Sequence, residues 1–479
     1  MSYKWKALSV TTLGALLASI QGSSLLLALP QILVDLKTNF IILIWIILIY
    51  LLATTMFIPI IGKLADIIGK KFLYNLGFII FTIGSLLSGL SQSSFHGFDL
   101  LFYRLIQGIG GALLFTNSTA IVTDAFSNTK NIGLGLGINQ IATASGFIIG
   151  PILGGLLVPI SWRLIFFINI PIGIIGSIWG IITLKDIVIE KKKEKFDYIG
   201  SIFLTLSIIF FLLSLSFISL PKSSSYLIIL FSILFIIFFS TFLIYERNVE
   251  YPIFDFSLFK NKIFAYSNAT GFLNSITRGA GLFILIFFLQ GPYGKSPFET
   301  GLMIIPFGLS FLILSPISGY LSDKYSYRVL STLGLFISAI GLLGLSTITK
   351  NTNYLDIAIY MSLLGAGSGL FSSPNTNSIM QNVKKEKRGE GSAIRVILAN
   401  LGQMLSIAII FPIVLGGVSE KVVSQIFIYG EKNKMISQNI VNKFTQSIHL
   451  AFIILLVFGI ITISISLFTS SRLHKNILT

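Results

Sequence analysis

Stretches of about 20 uncharged, mostly apolar residues recur from one end of this chain to the other; Leu73–Leu90, Ile199–Leu220, Tyr226–Ile244 and Leu450–Phe468 are examples. A helix needs roughly 20 such residues to cross the hydrocarbon core of a bilayer. Only helices and closed barrels satisfy their backbone polar groups there. These runs are continuous and lack the two-residue alternation of a barrel strand. The chain therefore reads as an all-α polytopic membrane protein. Fourteen spans are expected, from 7–29 to 448–470. Its 479 residues would otherwise suggest two or three soluble domains, but a mean hydropathy of +0.89 overrides that reading.

A formal net charge of +16 would in a soluble protein raise the question of nucleic acid. Here the basic residues follow the spans. With the N-terminus placed inside, the inner loops hold 22 Lys and Arg, the outer loops hold nine, and three arginines lie within spans, which accounts for all 34. Cytoplasmic loops are enriched in Lys and Arg, so both termini are expected in the cytoplasm of a cell-membrane protein, with no nucleic-acid partner. The chain has no cysteine and three histidines (His96, His449 and His474), all at span edges or in the tail. Neither a nucleophile–base pair nor a set of metal ligands falls within the membrane, and there is no nucleotide-binding P-loop. No catalytic residue, metal or cofactor is expected; the chain reads as a transporter rather than an enzyme.

Two charged segments, "KDIVIEKKKEKFDY" (185–198) and "YERNVEYPIFDFSLFKNK" (245–262), flank spans 7 and 8, which carry no charge. The expected organisation is a six-helix bundle over 1–184, linkers with two inserted helices over 185–262, and a second six-helix bundle over 263–479. An internal repeat supports the division. "GKLADIIGKK" (62–71) lies between spans 2 and 3, and "GYLSDKYSYR" (319–328) lies between spans 10 and 11. Gly62 and Asp66 are four apart, as are Gly319 and Asp323, and basic residues follow each pair, Lys70 among them. Ser326 stands where the first copy has Gly69. Read as loops, these segments form charged latches at the inner face, suited to a conformational gate. Duplicated bundles are a common transporter architecture, with the site between repeats near the midplane.

Ionisable residues inside spans are costly and become functional candidates. Arg104, Arg278 and Arg395 are the three, and no acidic residue lies mid-span. Gln21, Gln107, Asn117, Asn139 and Asn274 are polar neighbours for a coupling or substrate cavity, in which Arg104 and Arg278 are expected to face the centre, one from each half. Gly146, Gly150 and Gly154 share one face of span 5, a smooth surface for close packing, and Pro151 favours a bend there.

These segments resemble the major facilitator superfamily. "GKLADIIGKK" is similar to its loop between spans 2 and 3. "LFYRLIQGIGGA" (101–112) is similar to its span 4 motif, with Arg104, Gln107 and Gly108 at the matching places. "GFIIGPILGG" (146–155) is similar to the span 5 motif of drug antiporters, and "SWRLIFFINIPIG" (161–173) to the start of span 6 in the fourteen-span drug:proton antiporter branch. The resemblance covers nearly the whole chain. It implies efflux of hydrophobic or amphipathic small molecules by proton antiport, from a monomer in the lipid bilayer. Two positions depart from the branch: Gln21 stands where an aspartate is usual, and Leu26 where an asparagine is usual. A proton carrier is then expected nearer the membrane edge, with Asp35, Asp99, Asp124 and Glu299 as candidates. The alternative is a transporter of organic anions that uses the intramembrane arginines.

Overall fold

The computed structural model describes residues 2–126, 132–185, 197–217, 225–250, 252–322, 325–384, 387–415 and 438–468. Among them the chain is helical, with no strand. The helices are α1 (Tyr3–Asp35), α2 (Phe40–Ile68), α3 (Lys70–Gly89), α4 (Phe98–Phe126), α5 (Ile132–Leu157), α6 (Leu164–Phe167), α7 (Asn169–Thr183), α8 (Tyr198–Phe217) and α9 (Ser225–Glu246). They continue as α10 (Lys262–Gln290), α11 (Pro297–Met303), α12 (Ile305–Ser322), α13 (Tyr327–Leu345), α14 (Tyr354–Gln381), α15 (Arg388–Leu415) and α16 (Gln438–Ser466). Thirteen of the described helical segments are long and apolar enough to cross a membrane, and the apolar part of α5, Ile141–Leu157, adds a shorter one.

Two expected spans are broken. α6 and α7 meet at Ile168, and α11 and α12 meet at Ile304. Pro171 and Pro306 follow these breaks. Proline has no N–H to donate to the carbonyl four residues back, here Phe167 and Leu302. By contrast α5 runs through Pro151 without interruption.

The segment 62–71 is not a loop. α2 continues to Ile68, so Asp66 lies in its last turn, and Gly69 alone separates α2 from α3. The dipole of α2 therefore turns its negative end towards Asp66. Such a one-residue joint needs an unusual backbone, and Gly69 supplies φ +108°, which a residue with a Cβ rarely adopts. In the second copy, Ser326 has φ −59° and α12 and α13 are four residues apart. The side chain of Asp66, the residue Asp323, most of 185–198 and most of 414–447 lie outside what is described.

Contacts divide the chain into two compact units, Met1–Thr205 with Lys295–Leu302, and Leu206–Gly294 with Met303–Thr479. The division falls within α8, between Thr205 and Leu206. Each unit repeats one packing plan. In the first, α1 packs on α5, α4 and α7, while α4 packs on α2 and α3, and α3 on α7. In the second, α10 packs on α15, α14 and α16, while α14 packs on α12 and α13, and α13 on α16. One offset of 257 residues relates Gly77 to Gly334, Gly84 to Gly341 and Gly110 to Gly367. A Cβ on Gly84 would stand 2.6 Å from the Gln107 amide nitrogen, and one on Gly341 would stand 2.7 Å from that of Leu364. α3 against α4 and α13 against α14 are therefore backbone-to-backbone contacts, as small residues permit in membranes.

α8 and α9 pair through phenylalanines. Phe211 stacks on Phe235 with ring centroids 4.7 Å apart, and the Ser214 and Ser232 hydroxyls are 2.8 Å apart. Most of α9 is exposed and apolar all round, which fits a helix surrounded by lipid.

Candidate functional site

Arg104, on α4, is enclosed by its own unit and only 1% exposed. Its Nε donates to the Ile46 carbonyl of α2 at 3.2 Å, and its Nη1 donates to Gln107 Oε1. The guanidinium lies over the Tyr50 ring, 4.3 Å from the centroid. Gln107 in turn donates to Ser85 Oγ of α3 at 2.7 Å. Gln21 of α1 completes the group. With its oxygen turned to Arg104, Gln21 Oε1 lies 3.2 Å from Nη1 and its nitrogen faces the Ile165 carbonyl at 3.2 Å, to which Asn169 Nδ2 of α7 also donates at 3.2 Å. Six helices (α1 to α4, α6 and α7) thus meet around one cation through neutral groups: carbonyls, amides, a hydroxyl and an aromatic face. Every member is buried, so hydrogen bonds and the aromatic ring compensate the charge. Arg104 is thus held by neutral groups from the helices of its own unit.

Asn169, Tyr50 and Ser85 are members of this group that the sequence alone does not single out. Asn169 interrupts the apolar run "LIFFINIPIG", which is a usable signal. A serine or tyrosine in a span carries none by itself.

A second polar thread runs through the same unit. Asn139 of α5 donates to Ser118 Oγ at 2.7 Å, and Ser118 donates to the Thr11 carbonyl of α1 at 3.3 Å. Asn117 turns back to its own helix, donating to the Leu113 carbonyl at 2.9 Å. The Oδ1 atoms of Asn117 and Asn139 are buried without a partner among the described residues.

The α5 glycines meet α1. A Cβ on Gly146 or Gly150 would overlap Ser19 or Ser23, and one on Gly154 would stand 2.8 Å from the Ser24 carbonyl oxygen. Ser23 Oγ bridges the seam to the Gly146 carbonyl at 3.1 Å. Beyond it, the Pro151 carbonyl oxygen would be 2.6 Å from a Cβ on Gly301. Gly62 is less confined, with Thr116 Cγ2 at 3.8 Å.

In the second unit, Arg278 of α10 lies 5.5 Å from the Phe311 ring of α12. The 257-residue offset places it at the repeat position of Gln21, while Arg104 corresponds to Met361, which is fully buried. Each half therefore holds one arginine near an aromatic ring of its second span, carried on a different helix. Asn274 Oδ1 and Arg395 Nε are buried without a partner among the described residues. Gly319 sits within α12, 3.5 Å (as a built Cβ) from Ser373 Cβ.

The candidate proton carriers are engaged at helix ends. Asp35 accepts from Trp162 Nε1 at 2.9 Å and from Arg163 at 3.2 Å. Asp99 caps α4's approach by accepting from the Gln92 amide at 2.7 Å. Asp124 pairs with Lys70 at 2.6 Å, so the start of α3 is tied to the end of α4. Glu299 and Ser296 form a reciprocal capping box at α11. Among the described residues, no group of three or more His, Cys, Asp or Glu could hold a metal ion.

The sequence profile described as Major Facilitator Superfamily matches residues 11–407 and 267–477. The chain is 30% identical to the riboflavin transporter RibZ of Clostridioides difficile over 85% of this chain and 88% of that protein. It is 32% identical to multidrug resistance protein 3 of Bacillus subtilis, over 83% and 77% respectively. In fold it is similar to a bacterial homologue of the human lysosomal transporter Spinster, solved inward-facing and occupied. That structure has a TM-score of 0.67 at 15% identity, with 98% of this chain and 97% of that one covered.

Proposed function

The chain belongs to the Major Facilitator Superfamily, and from that premise we propose that it is a secondary active exporter of amphipathic organic molecules, driven by exchange against protons. The observation that carries this reading is the α1–α5 seam. Gly146, Gly150 and Gly154 bring α5 within backbone contact of α1, a surface on which helices move as one body without leaving a leak between them. The relatives named for multidrug resistance and riboflavin transport support an organic cargo. Exchange proceeds by alternating access, with Gly62, Asp66, Gly69, Lys70, Gly319 and Asp323 serving as inner gates. The protein acts as a monomer in the cell membrane with both termini in the cytoplasm, in line with the lysine bias of its loops.

Arginine keeps its charge at any accessible pH, so Arg104 and Arg278 tune the site rather than carry the proton. One observation favours a second reading, transport of organic anions: the groups around Arg104 are all neutral. Proteoliposomes under an imposed pH gradient decide between them. Uptake of dyes that follows the gradient and collapses with a protonophore supports antiport. Flux of organic anions that ignores the gradient supports the second reading.

A further inference from the structure

At the lysine-rich face of the first unit, three helix ends enclose a small pocket. α3 contributes Lys70 and Lys71, α4 contributes Asp124, and Lys185 follows α7; Tyr3 at the start of α1 closes the side. Asp124 is the only carboxylate among the described lining residues, and Lys70 occupies it at 2.6 Å. Lys71 has no ion pair among the described residues. Lys185 is held by Tyr3, whose hydroxyl accepts from the Lys185 amide at 3.3 Å and whose ring lies 5.4 Å from its Nζ. Among the described residues, the ammonium groups of Lys71 and Lys185 are therefore without a carboxylate. They stand beside the start of α3, a 20-residue helix whose Gly69 cap offers no side-chain acceptor to the first-turn amides. The positive end of the α3 dipole meets the negative end of α2 across Gly69, so the lysines themselves carry the positive field.

What lies next to this pocket indicates the ligand. α7 packs on α3 and carries an exposed apolar face, with Ile175 60%, Ile178 53%, Trp179 46% and Ile182 77% accessible. Phe72, one residue beyond Lys71, is 56% accessible. Trp179 turns its indole N–H to Ser9 Oγ at 3.2 Å, leaving its ring at the apolar surface. Positive charge thus stands at the end of an exposed apolar stripe, the pattern by which basic residues beside spanning helices attract acidic lipid head groups. We propose that Lys71 and Lys185 bind the phosphate of an anionic phospholipid, whose acyl chains lie along α7. Neither Lys71 nor Lys185 has a part in the proposed transport cycle.

The purified protein in neutral detergent is melted with added phosphatidylglycerol, phosphatidylcholine or inorganic phosphate, and lipid retention is counted by native mass spectrometry. Phosphatidylglycerol should raise the melting temperature and be retained, and phosphatidylcholine should do neither. The Lys71→Gln/Lys185→Gln variant should bind phosphatidylglycerol about 30-fold more weakly, the combined effect of neutralising two lysines beside an acidic head group. Lys4→Gln/Lys6→Gln, which removes the same charge from α1, should bind as the parent does. Equal effects of the two lipids, or undiminished binding by the Lys71/Lys185 variant, overturns the proposal. Stabilisation by inorganic phosphate equal to that by phosphatidylglycerol also overturns it, because the site would then hold a free anion. If the double variant does not fold, Lys71→Gln alone is read in the same way, and the lipid comparison on the parent protein remains decisive.

Discussion

The two halves of this protein use one packing plan and fill it with different residues, most plainly where the first helix of each half meets the fifth. In the first half, α5 presents Gly146, Gly150 and Gly154 to α1, and main chain meets main chain. The same offset along α15 gives Gln403, Ile407 and Phe411. There Phe411 packs against Phe283 and Phe287 of α10, with centroids 5.8 and 6.3 Å apart. The second seam also brings main chain to main chain, at Gly402, where a Cβ would stand 2.4 Å from the Phe272 carbonyl oxygen, but it fills the three repeat positions with side chains. The plan therefore tolerates two chemistries, but at these positions the first leaves no room for a Cβ.

This difference yields the largest expected effect. Gly150→Leu should abolish transport and most folded protein, because even its Cβ would overlap Ser23 and lie 2.8 Å from the Ile20 carbonyl oxygen. Overpacking a close-packed site typically costs about 1–3 kcal/mol for a few added methylenes, and leucine adds four carbons. Ile407→Val, at the repeat position, should cost about 1 kcal/mol and keep flux. Size-exclusion profiles, melting temperatures and flux are measured for both. Wild-type behaviour of Gly150→Leu would show that α1 and α5 are not in backbone contact.

The buried arginines come next. Removing Arg104 leaves the Ile46 carbonyl, Gln107 and Gln21 short of a donor in an enclosed place, at about 1–3 kcal/mol for each orphaned group. Arg278 is less enclosed and sits by Phe311. Arg104→Ala should therefore lower the melting temperature well beyond Arg278→Ala, while both lower flux. Arg104→Lys should recover only part of the stability, since an ammonium lacks the planar fork that reaches several acceptors at once. If the two alanine variants melt alike, the halves do not differ in the way their arginines are held.

These contrasts also mark what a sequence discloses. The spans are legible because an unbroken apolar run has one use. The α1–α5 seam is legible because glycines four apart must share a helix face. Arg104 stands out through the cost of a charge in a span, yet its setting does not: Gln21, Ser85, Tyr50 and Asn169 lie on four other helices, and nothing local in their sequence contexts brings them together. Asp66 is misplaced by sequence reasoning for a different reason. Glycine and charge signal a loop, but a helix can run on past the apolar region, and α2 ends only at the one residue, Gly69, whose φ is positive.

The smallest expected effect compares the ion pairs that fasten helix ends in each half. Lys70–Asp124 is mostly shielded, with side chains 18% and 19% exposed. Lys387–Asp255 fastens the segment before α10 to the start of α15, and its lysine is 44% exposed. Solvent screening limits such an exposed pair to about 1 kcal/mol or less, so Asp124→Asn should destabilise more than Asp255→Asn. The second pair also has a defined pH signature. Burial pushes the Asp255 carboxyl up, but Lys387 and the Ser257 hydroxyl and amide more than offset it, and the carboxyl ends below its ordinary value. Hydrogen bonding to Asp255 raises Lys387. A lowered carboxyl contributes stability above its unfolded value, near 3.9, and loses it as pH falls through the folded one. A raised lysine contributes below about 10.4 and loses it as pH climbs through its folded value. The melting difference between parent and Asp255→Asn should thus be flat between about pH 5 and 9, shrink towards zero in stronger acid, and narrow in high salt. A difference that grows on acidification would mean that Asp255 is held by something other than its charge.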